Sequence, residues 1–175
     1  MRTVLVFGYG NPGRQDDGLG PAVVEALEAL GLEGVTLDAN YQLSVEDAAL
    51  VAEHDVVVFV DADATGPEPF WFGEVEPADD VSFSTHSVRP EAVLALARGA
   101  LGGRTTGYIL GVRGYAFDEF GEALTAGARR NMDAALAFLA TALAEQRFQE
   151  YVRNHRHEAG LGVTAAASVG KEGAA

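Results

Sequence analysis

Three side chains in this sequence could work together on one ion. Asp16 and Asp17 lie in the stretch Gly8-Tyr9-Gly10-Asn11-Pro12-Gly13-Arg14-Gln15-Asp16-Asp17-Gly18-Leu19-Gly20, Asp61 closes a valine-rich run, and His86 follows Ser84-Thr85 in a polar segment. Two hard oxygen donors and one imidazole suit a first-row divalent cation with positions left open for something else. Each residue also has a plainer account. An acid in the first turn of a helix contributes ~0.3–1 kcal/mol against the macrodipole, and Asp16 is assigned to that role. Asp61 could simply start a turn, and His86 alone reads as a surface histidine. What favours the joint reading is where the elements put them.

The run Thr3 to Phe7 is continuously apolar, as expected of a strand buried on both faces, and Ala22 to Leu30 has helical spacing with Gly31 as its stop. Val35-Thr36-Leu37 is a short second strand ending at Asp38. Ser44 with Asp47 three residues later opens a helix to about Glu53. Asp55 to Asp61 is the clearest strand, and Phe70 to Val75 reads as an antiparallel strand or hairpin arm. Pro90 starts a helix running to Leu101, Tyr108 to Val112 is a further strand, and Ala123 to about Arg147 is a long helix. Its buried stripe is Leu124, Ala128, Ala135, Leu136, Leu139 and Leu143. This alternation implies a mostly parallel sheet with helices on both faces. Parallel strands bring their carboxyl ends to one edge, so Asp17 and Asp61 should converge there, with His86 in reach if its loop folds over. Residues 1–150 are read as one domain. Residues 151–175, polar and Gly/Ala-rich, are read as a disordered tail in which His155 and His157 are solvated. His54 is expected to cap the start of the third strand.

Composition removes several classes. A net charge of −14 argues against a nucleic-acid groove and against an anionic membrane surface. There is no cysteine, so neither a disulfide nor a thiolate nucleophile is available. The N-terminal apolar run is shorter than the ~7–15 residues of an export signal, and no run approaches the ~18 of a membrane span. The cytoplasm is the expected compartment. No G-x-S-x-G elbow or Walker-A loop occurs, and the single lysine, Lys171, lies in the expected tail. Gly8, Gly10 and Gly13 do match G-x-G-x-x-G, with Asp38 where a ribose-binding acid would stand. Against that dinucleotide reading, Pro12, Asp16 and Asp17 precede the helix, and two carboxylates would repel a pyrophosphate by ~1–4 kcal/mol each.

Taken in order, Gly8-Tyr9-Gly10-Asn11, Asp16-Asp17-Gly18-Leu19-Gly20, Asp61-Ala62 with Gly66 beyond, and Ser84-Thr85-His86 resemble the hydrogenase maturation endopeptidases, over Met1 to about Leu143. The resemblance implies a three-layer α/β/α sandwich with a mostly parallel, twisted sheet of about five strands. It also implies an aspartic-type endopeptidase that removes the C-terminal extension of a nickel-loaded [NiFe] hydrogenase large-subunit precursor. Asp17, Asp61 and His86 fall on the family's metal-contacting and catalytic positions, and Asp38, Asn11 and Asp16 are the substrate-binding candidates. Some members carry Glu where Asp17 stands, and many have Asp-Gly-Gly where this chain has Asp38-Ala39-Asn40. On this reading nickel arrives with the substrate, the resting enzyme holds no tightly bound cofactor, and the partner of a monomeric enzyme is the precursor. The main alternative is a non-catalytic nickel-state sensor or chaperone using the same three residues. A dinucleotide-binding protein is the weaker one.

Overall fold

The computed structural model describes residues 1–79 and 88–158. The two most apolar runs become its central strands, β1 (Val4–Tyr9) and β3 (Val56–Asp63), and Val4 to Phe7 and Val56 to Val60 are fully buried. Around them lie β2 (Val35–Asn40), β4 (Phe70–Val75) and β5 (Thr106–Arg113), in the order β2-β1-β3-β5-β4. All pairings are parallel except β4 with β5, so the antiparallel strand lies at one edge.

Side chains alternate across this sheet, and each face has its own core. Val4, Val6, Val56, Val58 and Val60 face α1 (Leu19–Glu28), α4 (Ala126–Glu145) and α5 (Phe148–Glu158). Leu5, Phe7, Val57 and Phe59 face α2 (Asp47–Ala52) and α3 (Pro90–Gly99). The result is the expected α/β/α sandwich. Ser44 donates its backbone N–H (2.6 Å) and its hydroxyl (3.1 Å) to Asp47, half of the predicted capping box, although regular α2 begins only at Asp47. His54 closes α2 by bonding the Leu50 carbonyl (2.8 Å) and the Thr36 hydroxyl (2.8 Å).

Two expectations about the C-terminal half need correction. The long helix ends at Glu145, where Gln146 turns left-handed (φ 52°), and α5 follows. The boundary drawn at residue 150 therefore falls inside a helix that buries Phe148 and Val152. His155 is not solvated: its ring packs against those of Phe70 and Phe138, at centroid distances of 5.1 Å each. Residues 159–175 lie outside the described residues.

β1 leads through α1 to β2 on one face, and the chain returns through α2 to β3 on the other. The carboxyl ends of β1 and β3 therefore flank the point where strand order reverses, the usual place for a binding crevice. The glycine-rich turn fills it. A Cβ on Gly20 would lie 2.5 Å from the carbonyl oxygens of both Tyr9 and Val60, so only glycine lets α1 start this close to the two strands. Between β1 and α1, Gln15–Gly18 form a single 3₁₀ turn.

Asp16, in that turn, is wholly buried and accepts from the N–H groups of Tyr115 (2.8 Å), Ala116 (3.1 Å) and Thr125 (2.8 Å), and from the Thr125 hydroxyl (2.8 Å). Burial alone would raise its pKa, but these donors hold it below the usual carboxylate range. These bonds tie the first turn to the segment after β5, which is more than a simple interaction with a helix dipole. Asp16→Ala should cost roughly 3–5 kcal/mol, because it strands three buried amides as well as removing a charged acceptor, and urea denaturation should show it.

Candidate active site at the sheet rim

Asp17 lies one residue on from Asp16 in the same 3₁₀ turn, with its side chain only partly buried. Its carboxylate accepts the Asn11 N–H (2.8 Å). Gly10, at φ 140°, passes so close that a Cβ there would overlap the Asp17 carbonyl at 1.9 Å, so the turn wraps directly onto this acid. Asn11 uses its own side-chain oxygen to accept the Gly13 N–H (2.9 Å). It shapes the turn, and no substrate contact is needed to explain it. This geometry also weakens the dinucleotide reading, since Asn11's amide, which would face a phosphate, is already taken by the chain's own carboxylate.

Asp61 stands on the neighbouring strand. The β1–β3 register runs to Gly8↔Val60, so the next pair is Tyr9 beside Asp61, both directed to the α2–α3 face. The Tyr9 hydroxyl donates to Asp61, and so does the Ala62 N–H. Asp63, two residues on, is engaged differently: it accepts Thr65 N–H (2.9 Å), Gly66 N–H (2.8 Å) and Trp71 Nε1–H (2.7 Å). Those bonds outweigh burial and keep Asp63 below the ordinary carboxylate range, so Asp63 ties the end of β3 to the turn that follows it and to β4.

Burial pushes Asp61 up to about 7, helped by repulsion from Asp17 and Asp63 and only partly opposed by its two donors. Among the described residues none of the contributions to this shift comes from a cation. Arg89 acts electrostatically on Tyr9 and lies 3.7 Å from Glu91. Two carboxylates close enough to repel, one of them buried, are stabilised when a divalent cation arrives between them. That is a property of the donor set itself.

Asp38 is not part of this pair. It registers with Phe7 on β2, so β1 separates it from β3, putting it roughly 10 Å to the side of Asp61 and ~7 Å further back along the strands. Its carboxylate accepts the N–H of its own neighbour, Ala39 (2.9 Å). His86 lies outside the described residues. Among those described, no three His, Asp or Glu residues gather into a metal-ligand cluster. Tyr9 was missed by motif reading, although its signal is present: it is in phase with Phe7, and aligning β1 on β3 puts it beside Asp61.

No protein-family model matches the chain, and no curated protein matches it by sequence. Solved structures do match. The hydrogenase maturating endopeptidase HybD from E. coli superposes with a TM-score of 0.66 at 24% identity, covering 84% of this chain and 94% of that one. The [NiFe] hydrogenase maturation protease HycI from Thermococcus kodakarensis gives 0.62 at 23%, covering 82% and 94%. A hydrogenase 2 maturation peptidase from a Thaumarchaeota archaeon gives 0.61 at 24%, covering 81% and 97%. The fold is that of the hydrogenase maturation peptidases. It accounts for nearly the whole length of each of these neighbours, and no described helix is long and apolar enough to cross a membrane.

The raised pKa of Asp61 has a measurable consequence. An acid ordinarily at 3.8 and here at about 7 contributes stability that is complete below pH ~4 and lost as pH rises through 7. Between pH 5 and 8 this should lower the wild-type unfolding free energy by on the order of 2–3 kcal/mol. Asp61→Asn should flatten that slope, as denaturant titrations at the two pH values would show. Equal slopes would mean that Asp61 is ionised at ordinary pH.

Proposed function

We propose that this protein is an endopeptidase of the hydrogenase-maturation type, removing the C-terminal extension of a nickel-loaded [NiFe] hydrogenase large-subunit precursor. The observation that carries the proposal is the nearness of Asp17 to a partly buried, charge-repelled Asp61 at the switch point of this fold. Carboxylates in such a place call for a cation, and the complete absence of cysteine leaves soft ligation to be supplied from outside. A precursor that carries nickel on its own thiolates would bring both.

In this reading Asp17, Asp61 and His86 take the positions on nickel that the substrate leaves open. His86 precedes Arg89 by three residues, a tether of at most ~11 Å. Arg89 lies within electrostatic range of Tyr9, the neighbour of Asp61, and this nearness in the chain supports assigning the imidazole to the same site. Ligation requires Asp61 to be ionised, so the ion's arrival drives off the proton that burial retains at neutral pH. The two acids and the imidazole then orient the precursor so that its scissile carbonyl faces a water molecule polarised in the site. The water oxygen bonds to the carbonyl carbon, the C–N bond breaks, and the leaving nitrogen takes up a proton. Without nickel nothing draws the carboxylates into this arrangement, and the free enzyme stays inert. The work is done in the cytoplasm by a monomer.

The test is to incubate purified protein with nickel-loaded and nickel-free precursor and follow the loss of mass from the large subunit. Cleavage is expected only with nickel. Asp17→Asn, Asp61→Asn and His86→Ala should each slow it at least ~100-fold while circular dichroism stays unchanged. Tight binding of nickel-loaded precursor without cleavage would favour the sensor or chaperone instead. Near-normal rates in one variant would remove that residue from the site.

A further inference from the structure

The Tyr9 side chain is shaped by both of its ends. Its ring belongs to the α2–α3 face, where it packs against the cluster containing Leu5, Phe7, Phe59 and Leu94. Its hydroxyl, at the carboxyl end of β1, donates to Asp61. Register fixes this meeting: Tyr9 and Asp61 follow directly after Gly8↔Val60 on two parallel strands, and both point to the same face. A ring held by core packing is a rigid arm, and a cross-strand partner is its natural target.

We propose that Tyr9 is a positioning residue for Asp61, clamped by the core at its ring and holding one carboxylate oxygen so that the remaining lone pairs face the crevice beside Asp17. A carboxylate has about four acceptor sites. The Ala62 N–H and the Tyr9 hydroxyl account for two, leaving the others for a cation. The groups around the pair are Asp17 and Asp63 on the Asp61 side, and Glu91 and Arg89 from the start of α3 on the Tyr9 side. The ring, packed against the core cluster of the α2–α3 face, keeps the hydroxyl in place as a fixed donor. Neighbours of this kind, which orient a ligating group, are worth about 10–100-fold in metal affinity or activity.

This inference rests on the reading of Asp61 as a metal ligand, and two separate measurements distinguish its failure from that of the peptidase reading. The first is a double-mutant cycle on free Ni²⁺, titrated by calorimetry at pH 7.5 into the full chain as wild type, Tyr9→Phe, Asp61→Asn and the double variant. Tyr9→Phe keeps the ring and the packing, so its melting temperature should match wild type while Ni²⁺ affinity falls about 10–100-fold. In the Asp61→Asn background the same change should have no further effect, because its only route to the ion has gone. A structural role alone would lower stability and add to the Asp61→Asn loss. Unchanged affinity in Tyr9→Phe, additive losses in the double variant, or no Ni²⁺ binding by wild type would each overturn the proposal. The second measurement is cleavage of the nickel-loaded precursor, where Tyr9→Phe should lower kcat by a similar factor and leave KM alone. If the binding cycle behaves as expected but wild type does not cleave, the peptidase reading fails and the role of Tyr9 stands.

Discussion

The carboxylate of Asp16 leaves water completely and is held by four donors lying between Tyr115 and Thr125. An ionised group in that position is tolerated only when nearly all its acceptor capacity is used. Much else follows from that requirement. In a 3₁₀ turn, successive side chains diverge by about 120°, so with Asp16 fixed inward Asp17 must face elsewhere. It faces the glycine turn, where the Asn11 amide meets it and Gly10 leaves it room. The same anchoring brings the segment after β5 against the turn, with Gln15 N–H bonded to the Gly121 carbonyl (2.7 Å) and Gly121 N–H to the Gly13 carbonyl (2.9 Å). The acid beside the crevice is thus mounted on a turn bonded to the sheet at one end and to a distant loop at the other.

Three acids of one chemical type consequently take two different characters. Asp16 and Asp63 are saturated with donors and stay ionised, and each stabilises a turn. Asp61 has two donors, like-charged neighbours and partial burial, so it resists ionisation up to about pH 7. The contrast between Asp61 and Asp63 is the sharper, because they lie two residues apart on one strand and share a face. What separates them is Trp71, which reaches across from β4 to Asp63 and not to Asp61. The fold has spent its donors on the acids that stabilise turns and withheld them from Asp61. Uneven allocation of this kind marks functional carboxylates more reliably than an acidic residue at a strand end.

How much of this could be read in the sequence depends on the range of the forces involved. The strands β1 and β3 were legible because burial on both faces demands an unbroken apolar run, and the helix starts because Pro90 and the Ser44–Asp47 spacing are local signals. That Asp17 and Asp61 lie within electrostatic range of each other follows from parallel topology. The division of labour between Asp16 and Asp17 was not legible, since the donors that decide it lie 99 to 109 residues away. Helix α5 was missed for a related reason. Its sequence, Phe-Gln-Glu-Tyr-Val-Arg-Asn-His-Arg-His-Glu, is mostly polar, and it is held by a few contacts: Phe148 on Tyr108, Tyr151 and His155 on Phe138. Aromatic packing against an edge strand has no periodic signature strong enough to outweigh that composition. Asp38 was read as ending the second strand, but β2 runs on to Asn40, and β1 lies between it and β3.

A buried acid that resists ionisation is an obstacle to binding and a means of discrimination at once. Each pH unit by which the proton must be displaced costs about 1.4 kcal/mol of binding energy, so a weakly held or singly charged ion gains little there. On the proposed function, a divalent ion already fixed in a folded partner would arrive with its coordination largely formed and its translational freedom already lost, and could meet that cost. The same partner then gains from Asp17, whose orientation was set by Asp16 before anything bound. Selectivity for an ion presented by a protein over the same ion free in solution would thus come from two features of this chain: one carboxylate made reluctant by burial, and another made ready by its neighbour.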